Sequence, residues 1–411
     1  MSTTTHDPEL IGAPPPPVRR DPMVLAWLAA VGVSWFGDYA WNVALAWTAA
    51  RTLSPAMAGV VLGAEMLPQA LLVLLGGVLA DRYDPRRLLV AGEVGQAVVL
   101  LVGAAGWASG IHGAPILLAV AVAFGIASGL TMPAGTTLIR QVVAGNDLGT
   151  VQGWNQISSR AMRLLGAPAG GILVAWGGLV VVMLVDAATF LVIAAVLLLV
   201  VRPRFRLPRA VHERWRDTFT DGMRYLRSHE TAKLFVVGLT ALNVFVTPVT
   251  GLGVALRVSG SDWGAHWLGI ADASLAAGAI VGSVVAIRWQ PTYGAAAGFR
   301  VLIVQGLAIA CVGLGWKPTL VVSMAVLGFT AGAASVWLSA AFVRAIDPSH
   351  LGRVSSVTSL GDMTLMPLSV PALGAVVHAT DVLTATLLWG VAMSALCLWF
   401  ATRRPIRTLA A

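Results

Sequence analysis

Residues 76–87 read Gly-Gly-Val-Leu-Ala-Asp-Arg-Tyr-Asp-Pro-Arg-Arg, a short charged segment between two long apolar runs. The apolar run that ends within this segment covers residues 56–80, and the run after it covers residues 88–110. Each run has the roughly 20 residues that an α-helix needs to cross the hydrocarbon core of a bilayer. The segment therefore predicts a tight connection between two transmembrane helices.

The same alternation extends along the whole chain. Of its 411 residues, 57% are hydrophobic and only 11% are charged, which is more apolar surface than a soluble protein can bury. Twelve runs of spanning length, numbered here as spans 1 to 12, are separated by short polar or Gly/Pro breaks. They cover 24–50, 56–80, 88–110, 115–138, 153–175, 178–201, 233–254, 265–288, 298–315, 318–343, 353–377 and 381–401. The chain is predicted to be an all-α membrane protein with twelve transmembrane helices.

The basic residues give the orientation of the chain in the membrane. With the N-terminus inside, 24 of them fall on the inner side, and the outer side keeps Arg51, Arg257 and Lys317. Cytoplasmic loops carry an excess of Lys and Arg, so both termini are predicted to be cytoplasmic. The net charge of +8 rings the membrane and forms no clustered patch of the kind that binds nucleic acid. Arg outnumbers Lys by 25 to 2, which is typical of high-GC bacterial coding and indicates the bacterial cytoplasmic membrane.

An internal repeat divides the chain into two halves. The segment around Arg140 and Leu148-Gly149 is echoed around Arg344 and Leu351-Gly352, about 203 to 204 residues later. Upstream, Gly125 and Gly129 in span 4 match Gly328 and Gly332 in span 10. A repeat of whole six-helix units is the signature of one large class of secondary transporters. The spans are therefore predicted to form two pseudo-symmetric six-helix bundles.

This repeat gives the predicted domain organisation. Residues 1–23 are expected to be a disordered cytoplasmic tail, and residues 402–411 a second cytoplasmic tail. The bundles are expected at 24–201 and 233–401, joined by a cytoplasmic linker at 202–232. Within the linker, Trp215, Phe219, Met223 and Leu226 fall on one stripe of a helix, which indicates an interfacial helix.

The segment at 76–87 resembles the G-x-x-x-D-R-x-G-x-R-R signature of the major facilitator superfamily, matching at Gly77, Asp81, Arg82, Arg86 and Arg87. Asp84 replaces the glycine of the signature, which resembles the drug, macrolide and siderophore exporters of the superfamily. The repeated Arg and Leu-Gly pattern and Pro68 in span 2 are similar to that branch. The resemblance implies the twelve-helix major facilitator fold, transport by alternating access and a central cavity lined by spans 1, 4, 7 and 10.

Two further signatures of proton-coupled relatives are altered. The antiporter motif G-P-x-x-G-G has its proline displaced by one position in residues 166–171 of span 5. Span 4 has no Arg in its membrane interior, where many proton-coupled relatives carry one. The resemblance therefore leaves proton coupling to carboxylates.

The family signature also implies a conformational latch. Asp81, near the inner end of span 2, can face the positive N-terminal end of span 11, where Arg353 lies. Breaking that contact would free the two halves to move. The predicted latch residues are Gly77, Asp81, Arg82, Arg86, Arg87 and Arg353. The alternative is that the arginines only anchor the topology.

Six carboxylates lie inside hydrophobic segments: Asp38, Glu65, Glu93, Asp186, Asp272 and Asp362. An acid within a span is costly unless it faces protein or a water-filled cavity, so such residues usually mark a substrate or ion path. At about 1.5 Å per residue, Asp38, Glu65 and Asp362 lie near mid-membrane and are the predicted proton-coupling residues. Glu93 is expected to pair with the basic loop six residues before it. For Asp186, a hydrogen-bonding role in helix packing is an alternative as strong as a role in transport.

Polar and aromatic stripes on spans expected to face the cavity predict where substrate binds. Their members are Trp35, Trp41 and Asn42 on span 1, Asn243 and Thr247 on span 7, Trp337 on span 10 and Ser359 on span 11. Aromatic rings beside an acid suit a large amphipathic cation. Packing against neighbouring helices explains the tryptophans equally well.

The resulting functional hypothesis is a monomeric transporter that exports an amphipathic drug, antibiotic or siderophore-like metabolite in exchange for protons. The expected partners are the small-molecule substrate, protons and membrane lipids, without nucleic acid, cofactor or metal; Cys311 and Cys397 lie in spans and support neither a metal site nor a disulfide. Uptake of a small solute is the alternative within transport. A receptor, a channel or a membrane acyltransferase are the others, and no catalytic motif supports an enzyme.

Overall fold

A computed structural model describes residues 9–10, 15–206, 215–261 and 263–408. The described residues are almost entirely helical, and eleven of the helical runs are long and apolar enough to cross a membrane. One of these runs supplies two spans, as described below. The prediction of an all-α protein with twelve spans in two six-helix bundles is therefore confirmed.

The first half of the chain begins with a 3-10 turn at Val18–Arg20, and five long helices follow. They are α1 at Pro22–Thr52, α2 at Pro55–Arg82, α3 at Pro85–Ala108, α4 at Ala114–Val142 and α5 at Leu148–Leu199. A 3-10 turn at Gly145–Asp147 precedes α5.

Gly178 splits α5 into two antiparallel segments. Its φ of 69° and ψ of −171° are not helical, and only glycine adopts such a conformation without strain. Before the break, Gly166 and Gly170 pack on the backbone of Phe36 and Ala40 in α1; after it, Asp186 and Thr189 pack on Gly37. Because residues on both sides of the break reach the same level of α1, the chain reverses at Gly178. The two segments correspond to the predicted spans 5 and 6.

The second half follows the same plan with an interrupted first span. Between α7 at Glu230–Pro248 and α8 at Val254–Ser259, a π-helix covers Val249–Gly253, and together they form span 7. The remaining spans are α9 at His266–Arg288, α10 at Gly294–Val312, α11 at Lys317–Ala345, α12 at Leu351–Ala379 and α13 at Val382–Thr402. A short α14 at Arg404–Arg407 ends the described chain, and its Ile406 is buried.

Contacts divide the chain into two compact units. The first comprises Met1–Ala44 and Ala64–Val211, and the second comprises Leu45–Gly63 and His212–Ala411. The end of α1 and the start of α2 thus group with the second half of the sequence. Gly59 and Gly63 of α2 lie against the backbone of Pro371 and Pro367 in α12, an approach that only residues without a side chain allow.

The same helix contact recurs inside each unit. In the first unit, Gly125 and Gly129 of α4 pack on the backbone of Glu65 and Gln69 in α2. In the second, Gly328 and Gly332 of α11 pack on Leu275 and Ala279 of α9. These are the glycines of the sequence repeat, so the repeat reflects a real equivalence of packing.

The described part of the predicted N-terminal tail is folded, while residues 1–8 and 11–14 lie outside the described residues. Val18 and Asp21 are buried. Asp21 caps α1 by accepting hydrogen bonds from the N–H groups of Met23 and Val24, at 3.1 and 3.4 Å. Both of its oxygens also accept hydrogen bonds from Arg204. The start of the linker is therefore tied to the start of α1.

Strand pairing reinforces this tie. Glu9–Leu10 pairs antiparallel with Phe205–Arg206. The rest of the linker contains α6 at Trp215–Ser228, the predicted interfacial helix. Its Tyr225 and Leu226 are buried in an apolar cluster with residues of α7, α12 and the segment before α12, namely Ala232, Val236, Ile346, Val354 and Val357.

Replacing Gly125 or Gly328 by Ala is expected to lower stability by about 1–3 kcal/mol, because the new methyl group would overlap the carbonyl oxygen of Glu65 or Leu275. Gly95→Ala in α3 is the matched control, because nothing lies within 4 Å of the position its Cβ would take. Thermal unfolding of the purified protein measures the difference. A Gly125→Ala variant as stable as Gly95→Ala would show that α2 and α4 tolerate a wider spacing.

Asp21→Asn is expected to destabilise the protein by about 1–3 kcal/mol at neutral pH, because charged hydrogen bonds are lost. Burial opposes ionisation of Asp21, but Arg204 and the N–H groups of α1 hold its pKa below the usual value of 3.8. The stabilisation is therefore present above about pH 4 and disappears as the pH falls through the lowered pKa. Thermal unfolding at pH 7 and at decreasing pH should show the gap between wild type and variant closing. Asp147→Asn, at an end of α5 without a side-chain cap, should show no such gap.

Candidate functional site

A cavity of about 610 Å³ lies inside the first unit. Its walls come from α1, α2, α3, α4 and both segments of α5. The polar residues that line it are Ser34, Asp38, Gln69, Glu93, Gln96, Ser128, Thr131, Thr136, Gln152, Asn155 and Gln156. The apolar lining includes Trp27, Trp35 and Phe190. The described residues that line this cavity include two acids and no basic side chain.

Asp38 lies at the centre of a group of carboxylates within this unit. It is within electrostatic range of Glu65, Glu93 and Asp186. One oxygen of Glu93 and one of Asp186 are buried without a hydrogen-bond partner among the described residues. Buried carboxylates without hydrogen-bond donors are costly, and these acids lie close enough to repel one another when ionised.

Glu93 is placed differently from the sequence prediction. We expected an ion pair with the basic loop, but Glu93 pairs with no Arg or Lys among the described residues. It lines the cavity together with Asp38. The expectation was wrong because six residues along a helix place the side chain about 120° around the axis from Arg87, on another face.

Asp186 belongs to a helix contact as well as to the acidic group. It is fully buried on the second segment of α5 and packs on Gly37 of α1. Its Oδ1 accepts a hydrogen bond from Thr189 at 3.1 Å. A packing role therefore accounts for Oδ1 only, because the other oxygen has no partner among the described residues.

The predicted residues on α1 take three different roles. Trp35 lines the cavity. Trp41 is fully buried against Phe124, with ring centroids 6.1 Å apart, and its Nε1 lies near the Glu65 carboxylate without completing a hydrogen bond. Asn42 is exposed and donates to the backbone oxygen of Asp38 at 2.7 Å. Its amide therefore binds the helix and not the Asp38 carboxylate.

The remaining predicted residues lie in the second unit. One oxygen of Asp362 is buried without a partner among the described residues, whereas Ser359 is exposed and Asn243 and Thr247 are partly buried. Trp337 is buried. Its indole N–H contacts the carbonyl oxygens of Ala286 and Trp289 at the end of α9, at 3.2 and 3.1 Å. Trp337 therefore links α11 to α9, as expected if it packs against a neighbouring helix and does not bind substrate.

Sequence reasoning missed a polar stripe and a basic residue. Gln152, Asn155 and Gln156 follow the spacing of one helix face at the start of α5, a signal that would have identified them. Arg163 had been counted as an inner-side charge. It lies fifteen residues into α5, with its guanidinium over the ring of Tyr39 at 5.9 Å.

Within the predicted latch, the described contacts tie the α2–α3 connection to the first unit. Arg86 Nε donates to the carbonyl oxygen of Leu197 at 2.6 Å, near the end of α5. Asp84 caps α3 by accepting from the N–H of Arg86 at 2.9 Å, so the departure from the signature has a structural use. Gly77 has open space around it, and Asp81, Arg82 and Arg87 are exposed. In the second unit, Arg353 pairs with Asp221 of α6 at 3.5 Å.

A family model described as the Major Facilitator Superfamily matches residues 27–361, which is most of the chain. The chain belongs to the major facilitator superfamily. No group of three or more His, Cys, Asp or Glu side chains in the described part of this superfamily member could hold a metal ion.

Solved structures of major facilitator transporters have the same fold. A mutant of the nucleoside transporter NupG is 15% identical, covers 93% of this chain and 100% of its own, and superposes with a TM-score of 0.74. A bacterial homologue of the iron transporter ferroportin is 13% identical, with coverage of 93% and 99% and a TM-score of 0.69. A bacterial homologue of the human lysosomal transporter Spinster is 14% identical, with coverage of 94% and 97% and a TM-score of 0.66. No curated protein sequence matches the chain.

Arg86→Ala is expected to reduce stability by about 1–3 kcal/mol, because carbonyl oxygens at the end of α5 lose a charged donor. Arg87→Ala, an exposed neighbour in the same connection, should change stability by less than about 0.5 kcal/mol. Thermal unfolding in detergent compares the two variants. Equal losses would mean that the charge of the connection matters and the hydrogen bonds of Arg86 do not.

Proposed function

We propose that this superfamily member exports an amphipathic, cationic small molecule in exchange for protons. In this proposal it works as a monomer in the bacterial cytoplasmic membrane, with both termini in the cytoplasm. The observation that carries the proposal is the cavity of the first unit, which has Asp38 and Glu93 in its wall and no basic lining residue among those described.

The cavity suits a ligand of this class in size and chemistry. Its volume of about 610 Å³ falls in the range of about 300–1,000 Å³ that is usual for small-molecule sites. Trp27, Trp35 and Phe190 provide aromatic surface, which attracts an organic cation through its ring faces. The surrounding amides and hydroxyls can bind varied polar groups without selecting one compound.

The carboxylates offer a physical basis for exchange. Negative charges held close together in an apolar bundle repel one another, so either a proton or a cationic substrate lowers the energy of the group. When both compete for Asp38, the arrival of one favours the release of the other. A proton that enters down the membrane potential gains about 2.3 kcal/mol per 100 mV, which can drive export against a gradient.

The α2–α3 signature supports a change of conformation during transport. In this proposal Asp81 and the arginines of its connection act on the conformational step and lie outside the binding cavity. Arg86 holds the connection to the end of α5, so a movement of α2 and α3 would carry the end of that helix with it.

Uptake of a small solute is the second candidate. Among the superposed structures, NupG is named as a nucleoside transporter, and another neighbour is a POT family transporter in complex with a thioalcohol-conjugated peptide. At 13 to 15% identity, these neighbours support the fold of this chain but do not indicate its substrate. The direction of transport therefore rests on the exporter-like signature at Asp84.

Proteoliposomes with an imposed pH gradient and ethidium as the cationic probe test the proposal. Wild type should drive ethidium against its gradient in exchange for protons. Asp38→Asn should abolish this uphill movement yet keep exchange of ethidium down its own gradient, because an amide mimics a protonated acid that cannot release its proton.

Three further variants make the test specific. Glu93→Gln should also impair coupling if the cavity acids act together, whereas Asp147→Asn, in a connection outside the cavity, should transport like wild type. Asp362→Asn tests whether the proton site lies in the second unit and not in the first. Uphill transport by Asp38→Asn would move the proton site elsewhere, and movement of ethidium only with the proton flux would favour uptake.

A further inference from the structure

A second large cavity, of about 830 Å³, lies in the second unit between α6 and the connection that joins α11 to α12. We call it the linker pocket. It is lined by Asp221, Arg224, Tyr225, Ser228, His229, Arg344, Ala345, Ile346, Asp347, Pro348, His350 and Arg353. Its lining includes three arginines and two histidines. None of these residues takes part in the proposed transport mechanism.

The aromatic side chain of Tyr225 fixes the wall of this pocket. Its ring stacks on His229 with centroids 3.9 Å apart and on His350 with centroids 4.5 Å apart. Its hydroxyl accepts a hydrogen bond from the N–H of Asp347 at 3.1 Å. Because Tyr225 is buried, both imidazoles are held in place, and the pocket is preorganised.

The acids of the linker pocket are already engaged. Asp347 accepts hydrogen bonds from the backbone N–H and the hydroxyl of Ser349, at 2.8 and 2.5 Å; these bonds hold the pKa of Asp347 below its usual value. Asp221 is shared by Arg224 at 3.2 Å and Arg353 at 3.5 Å. Arg344 adds a third guanidinium group to the lining, against two acids. The pocket therefore has positive charge to spare.

The start of α12 adds further donors. Its N-cap residue, His350, makes no side-chain cap hydrogen bond, so the first N–H groups of a 29-residue helix are left for another partner. The N-terminal end of a helix carries partial positive charge and binds anions readily. Here it opens onto the same pocket as Arg344 and Arg353.

We propose that the linker pocket binds a phosphate group, held by Arg344 and Arg224 with the imidazoles and the start of α12. Guanidinium groups match the oxygens of phosphate with paired hydrogen bonds. The group can come from an anionic lipid headgroup or from a soluble phosphate. The first source fits the position of the pocket, because α11 ends and α12 begins beside it and lipid headgroups lie at the ends of membrane spans.

This site would connect phosphate binding to the linker. Gly222 of α6 packs on the backbone of Arg353, and the Tyr225 stack links α6 to the start of α12. A phosphate bound between α6 and α12 would hold the linker helix against the second unit. The site differs from general attraction of basic loops to the membrane, because it needs specific residues in a formed cavity.

Thermal unfolding of the full-length protein in neutral detergent tests this proposal with two probes, dioctanoyl phosphatidylglycerol and inorganic phosphate. Sodium chloride at the same ionic strength controls for screening. At about ten times the dissociation constant, a bound probe should raise the wild-type midpoint by about 1–2 °C. Arg344→Gln and Arg224→Gln should each weaken the apparent affinity by about 10-fold.

Arg227→Gln is the matched control, because Arg227 is exposed on the same helix and does not line the pocket. A rise with phosphatidylglycerol alone identifies a lipid headgroup as the source, and a rise with both probes extends the site to soluble phosphates. The midpoint of each variant without probe verifies that it is folded. If neither probe raises the wild-type midpoint, or if Arg344→Gln responds like Arg227→Gln, the proposal is wrong.

Discussion

The contact between α2 and α4 is the constraint on which the first unit depends. Helices in a bilayer gain little from the hydrophobic effect when they associate, so they rely on close packing of small residues. Gly125 and Gly129 bring the backbone of α4 onto Glu65 and Gln69 of α2. That approach fixes a glutamate and an amide beside α4, whose Ser128 and Thr131 line the cavity. Packing and polar chemistry are thus built at the same place.

The second unit shows that this packing does not itself require polar side chains. There the equivalent glycines of α11 meet Leu275 and Ala279 of α9. The two halves share their helix contact, but the first carries acidic and amide groups where the second is apolar. Gln69 at this contact also lines the cavity of the first unit, whereas its counterpart in the second unit is Ala279.

Much of the fold could be predicted from the sequence, because a bilayer requires long apolar helices and restricts where charges fall. The spans and the predicted orientation follow from those two constraints, whereas the repeat came from recurring motifs and the linker helix from an apolar stripe. Side-chain roles were harder to predict, because depth along a helix does not give the face. Glu93 was assigned by its distance from Arg87, although its face leads to the cavity. Arg163 was counted only among the inner-side charges, although it lies fifteen residues into α5.

Local backbone irregularity limited the predictions in another way. The stripe that carries Asn243 and Thr247 was predicted for an uninterrupted α-helix, but a π-helix follows at Val249–Gly253. A π turn changes the number of residues per turn, so faces before and after it no longer align. Trp337 was assigned to the cavity by analogy with relatives. Its indole N–H instead donates to carbonyl oxygens at the C-terminal end of α9. Such contacts leave no trace in hydrophobic periodicity.

The reversal of the chain at Gly178 also has a practical consequence. The two segments of α5 meet with a single residue out of helical conformation, so the connection between them has almost no loop. An epitope, a cleavage site or a fluorophore inserted there would have to unwind one segment or the other. The connection at 109–113, which lies on the same face and whose Gly110, Ile111 and His112 are exposed, offers room for such a label. Experiments that report on this side of the protein should therefore be anchored between α3 and α4.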